Sequence, residues 1–271
     1  MHKIVNQVKL SFTCFLKNKS LIMSLSRRDI LQRYQGSLFG LLWTLLTPLI
    51  MLAIYTFIFS VVFKAKWGGV DDKFQFSMLL FSGLIIFNCF SDIISRAPTL
   101  IINYASYVTK VIFPIEILPF VITISAIFNF ILSFIIWLVF YITLIGLPSI
   151  YIVFVPLLMI PFILMCNGLA WILSSIGVYI RDVSQLVTLV VSALMFMTPI
   201  FYPITALPEQ YQFYLHLSPI TTVVELFRSL AIYGEMPSIK MLAVYTSSSI
   251  AIYCLGFMWF NKTSKGFSDV L

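Results

Sequence analysis

The chain has 271 residues, 61% of them hydrophobic and only 10% charged, with a mean hydropathy of +1.03. Soluble globular chains are roughly 45–50% apolar and about 25% charged, so this composition excludes an ordinary soluble enzyme; that much apolar surface also excludes disorder. The excess of 17 basic over 10 acidic residues reads as charge that orients a membrane protein, not as nucleic-acid charge. Cys14, Cys89, Cys166 and Cys254 have neither metal nor redox spacing and read as reduced, mostly buried thiols.

At the N-terminus, Asn6, Gln7 and Lys9 interrupt any apolar core, which argues against a signal peptide. Ile4, Val8, Phe12 and Phe15 recur at helical spacing among Lys3, Lys9, Lys17 and Lys19. That pattern predicts a helix in the membrane interface, with a cytosolic amphipathic helix as the alternative. Ser26-Arg27-Arg28-Asp29 has the form of a capping box and predicts a second, basic helix starting there and running through Arg33 and Tyr34.

The expected fold is an all-α membrane protein, since the length fits roughly six spans of about 20 residues. The uncharged first span is predicted at 38–63, bent at Pro48, and the second at 76–94. The stretch from Arg96 to Pro114 is too polar and short to cross. Residues 117–180 carry no charge. As one helix they would reach roughly 96 Å, so Gly146-Leu147-Pro148-Ser149 is read as a turn between spans at 117–145 and 150–180, the second kinked by Pro156 and Pro161. The fifth span is predicted at 185–203 and the sixth at 241–260.

Between them, 199–239 holds five of the twelve prolines yet stays apolar and aromatic. It reads as short helices dipping back into the membrane edge. The best has Ser218 at its N-cap, Pro219 at its first position, Gly234 past its end, and an apolar stripe of Val223, Phe227, Leu230 and Ala231. With the N-terminus inside, Lys and Arg divide twelve inside to five outside, a positive-inside bias that leaves both termini cytoplasmic.

The sequence has no P-loop, only His2 and His216 as histidines, and no Gly-x-Ser-x-Gly elbow. No cofactor is expected in this chain. Asp92, Arg96, Lys110 and Glu116 sit at span edges, which argues against a carrier driven by ions or protons, although sodium sites made of carbonyls and hydroxyls stay open. The spans hold aromatics instead. Phe39 and Trp43 are four apart, and Tyr55, Phe59 and Phe63 continue at i, i+4, i+8, one helix face suited to stacking on sugar rings or to packing against lipid. Ser192 and Phe196 on the fifth span join this candidate path. Asp92 and Arg96 read as a weak surface pair, and Glu225 with Arg228 as a structural pair.

The run from Arg28 through Arg33-Tyr34-Gln35-Gly36-Ser37-Leu38-Phe39-Gly40 to Trp43, then Pro48-Leu49, resembles the approach to the first span in permeases of polysaccharide-export ABC transporters, those of O-antigen exporters in particular. Ile112-Phe113-Pro114-Ile115-Glu116, Arg181-Asp182-Val183 with Met197-Thr198-Pro199, and Ser218-Pro219 with Arg228 resemble later blocks of that family in the same order. The resemblance implies a bacterial inner-membrane homodimer paired with two separate ATPase subunits, which bind the ATP and magnesium, and no catalytic residue in this chain. It implies a coupling segment at 96–112, with Ala97, Asn103, Tyr104 and Tyr107 as ATPase contacts. It implies a channel for a polyprenyl-diphosphate-linked glycan, closed outside by gate helices at 204–239 with Pro219, Glu225 and Arg228. Arg27, Arg28 and Arg33 are positioned to receive the diphosphate or to anchor anionic lipid. Capsule or teichoic-acid export, small-molecule export, and a membrane-embedded lipid-glycan transferase are the rival readings.

Overall fold

The computed structural model describes residues 2–58, 73–110, 113–216 and 218–271. All regular elements among the described residues are helical. They are α1 (His2–Lys17), α2 (Lys19–Tyr34), α3 (Trp43–Tyr55), α4 (Lys73–Arg96), α5 (Leu100–Asn103), α6 (Ala105–Lys110), α7 (Leu118–Leu144), α8 (Val155–Tyr179), α9 (Val183–Met197), α10 (Glu209–His216), α11 (Pro219–Arg228) and α12 (Ile239–Thr263).

Among the described residues, five continuous helical stretches are long and apolar enough to cross a membrane: Gly40–Ile58, Phe74–Asn103, Ile115–Leu144, Ile150–Tyr179 and Ile239–Asp269. The expected fifth span, 185–203, is shorter than predicted: α9 has 15 residues, roughly 22 Å at 1.5 Å per residue. Its end has a local cause. Thr198 precedes Pro199 and is extended, with ψ 140°, because the proline ring disfavours helical backbone before it.

Ser26 does not start a helix. It lies buried in the middle of α2 and its hydroxyl donates back to the Ile22 carbonyl at 2.8 Å. Pro156 sits in the first turn of α8, where a missing N–H costs nothing, and Pro161 lies inside the helix. The chain turns between α7 and α8 at Gly146, with φ 125°, and Ser149 accepts a hydrogen bond from the Tyr151 amide. Gly234, at φ 69°, closes the turn that continues α11.

The second span is the hub, with 83% of its apolar window buried, against 11% for the first. Trp137 on α7 donates to the Met78 carbonyl at 3.0 Å, and Trp171 on α8 to that of Glu116 at 3.1 Å, so both buried indoles are satisfied. Helices α8 and α12 meet backbone to backbone. A Cβ on Gly256 would lie 2.1 Å from the Gly168 carbonyl oxygen, the small-residue contact that lets helices associate tightly in lipid.

Candidate functional site

At the end of α4 four charges close a ring with α2. Arg33 donates to Asp92 at 2.8 Å and lies 3.7 Å from Asp29, while Arg96 pairs with Asp29 and lies 3.9 Å from Asp92. The Asp92–Arg96 pair visible in the sequence is the longest of these contacts. The short ones cross between helices, from Arg33 to Asp92 and from Arg96 to Asp29. The ring is neutral and half-buried, so it is worth more than an exposed pair, which contributes about 0–1 kcal/mol.

Beside the ring, α4 runs on into a helical turn at Ala97–Thr99 and then α5 and α6. The Pro98 carbonyl oxygen packs where a Cβ of Gly177 would stand, 1.9 Å away, which seats this segment on α8. Tyr107 accepts a hydrogen bond from Arg28 at 3.2 Å, and the guanidinium lies 5.9 Å from the Tyr107 ring centre. Bonding to the hydroxyls of Tyr107 first and Tyr104 second raises the Arg28 pKa, which fixes its positive charge. Among the predicted contact residues, Asn103 is exposed, Tyr104 and Tyr107 are half-buried against Arg28, and Ala97 is fully buried within this chain.

The three arginines of α2 differ. Arg33 is held in the ring, whereas Arg27 and Arg28 are exposed and line an open groove of about 620 Å³ between α2 and Gly40–Leu41.

On the first span, Phe39 is exposed and meets Trp43 edge to face at 5.6 Å. Tyr55 packs on Phe201 at 5.9 Å, and Phe201 stacks on Phe196 of α9 at 5.9 Å. Phe201 thus joins Tyr55 to Phe196, two residues the sequence had placed on one path without a contact between them. Ser192 is exposed on α9, its hydroxyl donating to the Thr188 carbonyl at 2.9 Å. Phe59 and Phe63 lie outside the described residues. Much of α9 faces outward, with Leu186, Leu189, Phe196 and Met197 all more than half exposed.

The matching family model is that of the ABC-2 type transporter, over residues 20–232. This chain belongs to the ABC-2 type transporter family. Among curated proteins, the ABC-2 chain is 24% identical over 253 residues to the O-antigen export system permease protein RfbA of Myxococcus xanthus, covering 93% of this chain and 95% of that protein. The RfbA of Klebsiella pneumoniae is 23% identical over 252 residues, again 93% and 95%. The polysialic acid transport protein KpsM of Escherichia coli is 25% identical over 250 residues, 88% and 92%.

Among the described residues of this ABC-2 chain, Arg228 is the cation with no exposed surface. It donates to the carbonyls of Leu79 at 3.1 Å, Pro199 at 2.6 Å and Ile200 at 3.3 Å, and to Glu225 at 2.8 Å. Burial pushes its pKa down, and Glu225 opposes that shift. Gly83 leaves the room: a Cβ there would stand 2.9 Å from the guanidinium. The i, i+3 pairing with Glu225 was legible in the sequence. The three carbonyls were not, because backbone acceptors carry no residue signature. Pro219 opens α11, with Ser218 extended before it and making no side-chain cap bond.

Proposed function

We propose that this chain is the membrane subunit of a bacterial polysaccharide exporter, with O-antigen linked to polyprenyl diphosphate as its cargo. It works as a homodimer in the inner membrane, both termini cytoplasmic, with two copies of an ATP-binding partner. Helix α9 is the fifth of six spans, its short length made up by the turn after Met197, and the elements from 204 to 239 close the outer end. The observation that carries the reading is the aromatic contact Tyr55–Phe201–Phe196. It joins two apolar helices whose outward faces this chain leaves largely uncovered. Relatives named for O-antigen export, matching over 93% of the chain, support the cargo.

The residues divide the work. Arg27 and Arg28, on the open groove beside the start of the first span, receive the anionic diphosphate. Asn103, Tyr104 and Tyr107 meet the ATPase. ATP-driven closure of the partner moves the segment at 97–110, which is continuous with α4, seated on α8 at Gly177, and tied to α2 through Arg28 and the charge ring. The rings facing the path, Phe39, Trp43, Tyr55 and Phe196, offer weak and similar contacts along which a polymer slides without a deep trap. Export of a capsular polymer is the second reading, favoured by the likeness to a polysialic acid transport protein.

Deleting the gene in its own host separates these readings. Loss of surface O-antigen, with lipid-linked glycan accumulating inside, is expected. Loss of capsule alone selects the second reading, and unchanged surface glycan rejects both.

A further inference from the structure

Behind the inner face of the first span lies an open-mouthed cleft of about 330 Å³, lined by α3, α4 and α7 with Tyr34 of α2. Its lining is unusual for a space between apolar spans. Thr47 on α3, Asn88 on α4, and Asn129 and Ser133 on α7 all line it, and none makes a side-chain hydrogen bond to a described residue. The Asn129 carbonyl oxygen is buried without a partner. Asn88 is exposed in the middle of the most buried helix of the chain. The cleft starts at Asp92 and reaches past Asn88, about 12 Å before Arg96 along α4, to Ser133, about 22 Å along α7. Amides and hydroxyls left unpaired against lipid are unfavourable, so the space suits something polar.

The chemistry narrows the occupant. The one carboxylate at the mouth, Asp92, is already neutralised by Arg33, so a cation gains no free charge there. None of the described residues lining the cleft is a cation that could hold an anion. An acyl chain would leave both amides unpaired. A neutral polyol fits each feature: the amides both donate to and accept from neighbouring hydroxyls, Thr47 and Ser133 add hydroxyls, and the rings of Trp43 and Tyr55 give an apolar surface for C–H groups. The volume lies at the lower end of ligand pockets and accommodates one pyranose ring.

We propose that this cleft is a carbohydrate-binding site inside each copy of the chain, holding a single sugar residue by Asn88 and Asn129. The inference rests on the export reading for its biological setting, but not for its binding chemistry. Such a site would hold the glycan between steps of the ATPase and bias which sugar passes.

Saturation-transfer NMR on the full chain in lipid nanodiscs tests it, using methyl glycosides of the common hexoses and N-acetylhexosamines, and short oligosaccharides ending in the same sugars. At least one glycoside should show transfer to its ring protons above that on empty discs. Asn88→Leu with Asn129→Leu should weaken its binding at least tenfold. Thr47→Val with Ser133→Ala should weaken it about threefold, and decides the matter if the Leu pair fails to accumulate. A signal from both glycosides and oligosaccharides supports the site, whereas one from the oligosaccharides alone overturns it, because a site for one sugar residue must take the glycoside. No transfer from any probe, which would mean that water alone fills the cleft, overturns the proposal, as does undiminished binding in the variants. Surface glycan measured in cells carrying the parental chain keeps the two readings apart: export without glycoside binding rejects the site and leaves the exporter standing.

Discussion

Helices α8 and α12 approach until glycine backbones touch, and Arg228 ties three chain segments together through the carbonyls of Leu79, Pro199 and Ile200. Helices α3 and α9, in contrast, leave most of their apolar surface uncovered, and their ends meet through one line of rings. The first region is closed within this chain and leaves little room for larger side chains. The second is uncovered within this chain, and it is the face we propose for the cargo. Substitutions in the two regions should therefore fail in different ways.

The largest effect is expected at Arg228. Arg228→Leu takes the guanidinium from Glu225 and from the carbonyls of Pro199 and Ile200, while Leu79 keeps the Ser82 hydroxyl; the loss is roughly 3–5 kcal/mol, and the chain should not accumulate in membranes. Arg228→Lys keeps the charge but not the fork of donors, so it should restore only part of the abundance. Full abundance of the Leu variant would break the contrast at its strongest point.

Gly256→Val comes next. Its side chain meets the Gly168 backbone, which cannot step aside, and overpacking of this kind costs about 1–3 kcal/mol. A thermal-stability scan in detergent should show an earlier transition, with Ser247→Ala on the exposed side of α12 as an unaffected control.

Smaller again is the charge ring. Asp29→Asn removes a partner of both Arg33 and Arg96 and should cost about 1 kcal/mol. Exchanging Arg33 and Asp92, as Arg33→Asp with Asp92→Arg, should recover more stability than the two single changes predict, a coupling of about 0.5–3 kcal/mol. Strict additivity would mean that the ring is only a surface arrangement.

What the sequence made legible follows from range. Composition and uncharged length located the long spans. Gly146 and Gly234 marked their turns because positive φ favours glycine, and Pro219 marked the start of α11. Local patterns misled where a distant partner decides. Ser26 and Asp29 looked like a helix start, yet α2 already runs through them, with Ser26 buried and Asp29 turned to Arg96 on another helix. The ring and the carbonyls around Arg228 join residues far apart in sequence, which no window of spacing contains. Phe201 carries no spacing signal of its own, and its contact with Tyr55 depends on how the chain turns after α9.

The smallest effect on stability, and the largest gap between stability and function, belongs to the aromatic line. Tyr55→Leu and Phe196→Leu keep most of the apolar volume and should leave abundance within about 1 kcal/mol of parental, while export slows several-fold. The most direct measurement goes one step further: Phe196→Cys treated with a bulky thiol reagent, followed by quantification of surface polysaccharide against chain abundance. Helix α9 exposes this position, whereas Cys89, Cys166 and Cys254 are buried; with the half-buried Cys14 replaced by Ser, the label should report on the path. Export that stops at full labelling with unchanged abundance is the predicted result. Export at the parental rate from the fully labelled protein would contradict the assignment of the α3–α9 face to the cargo.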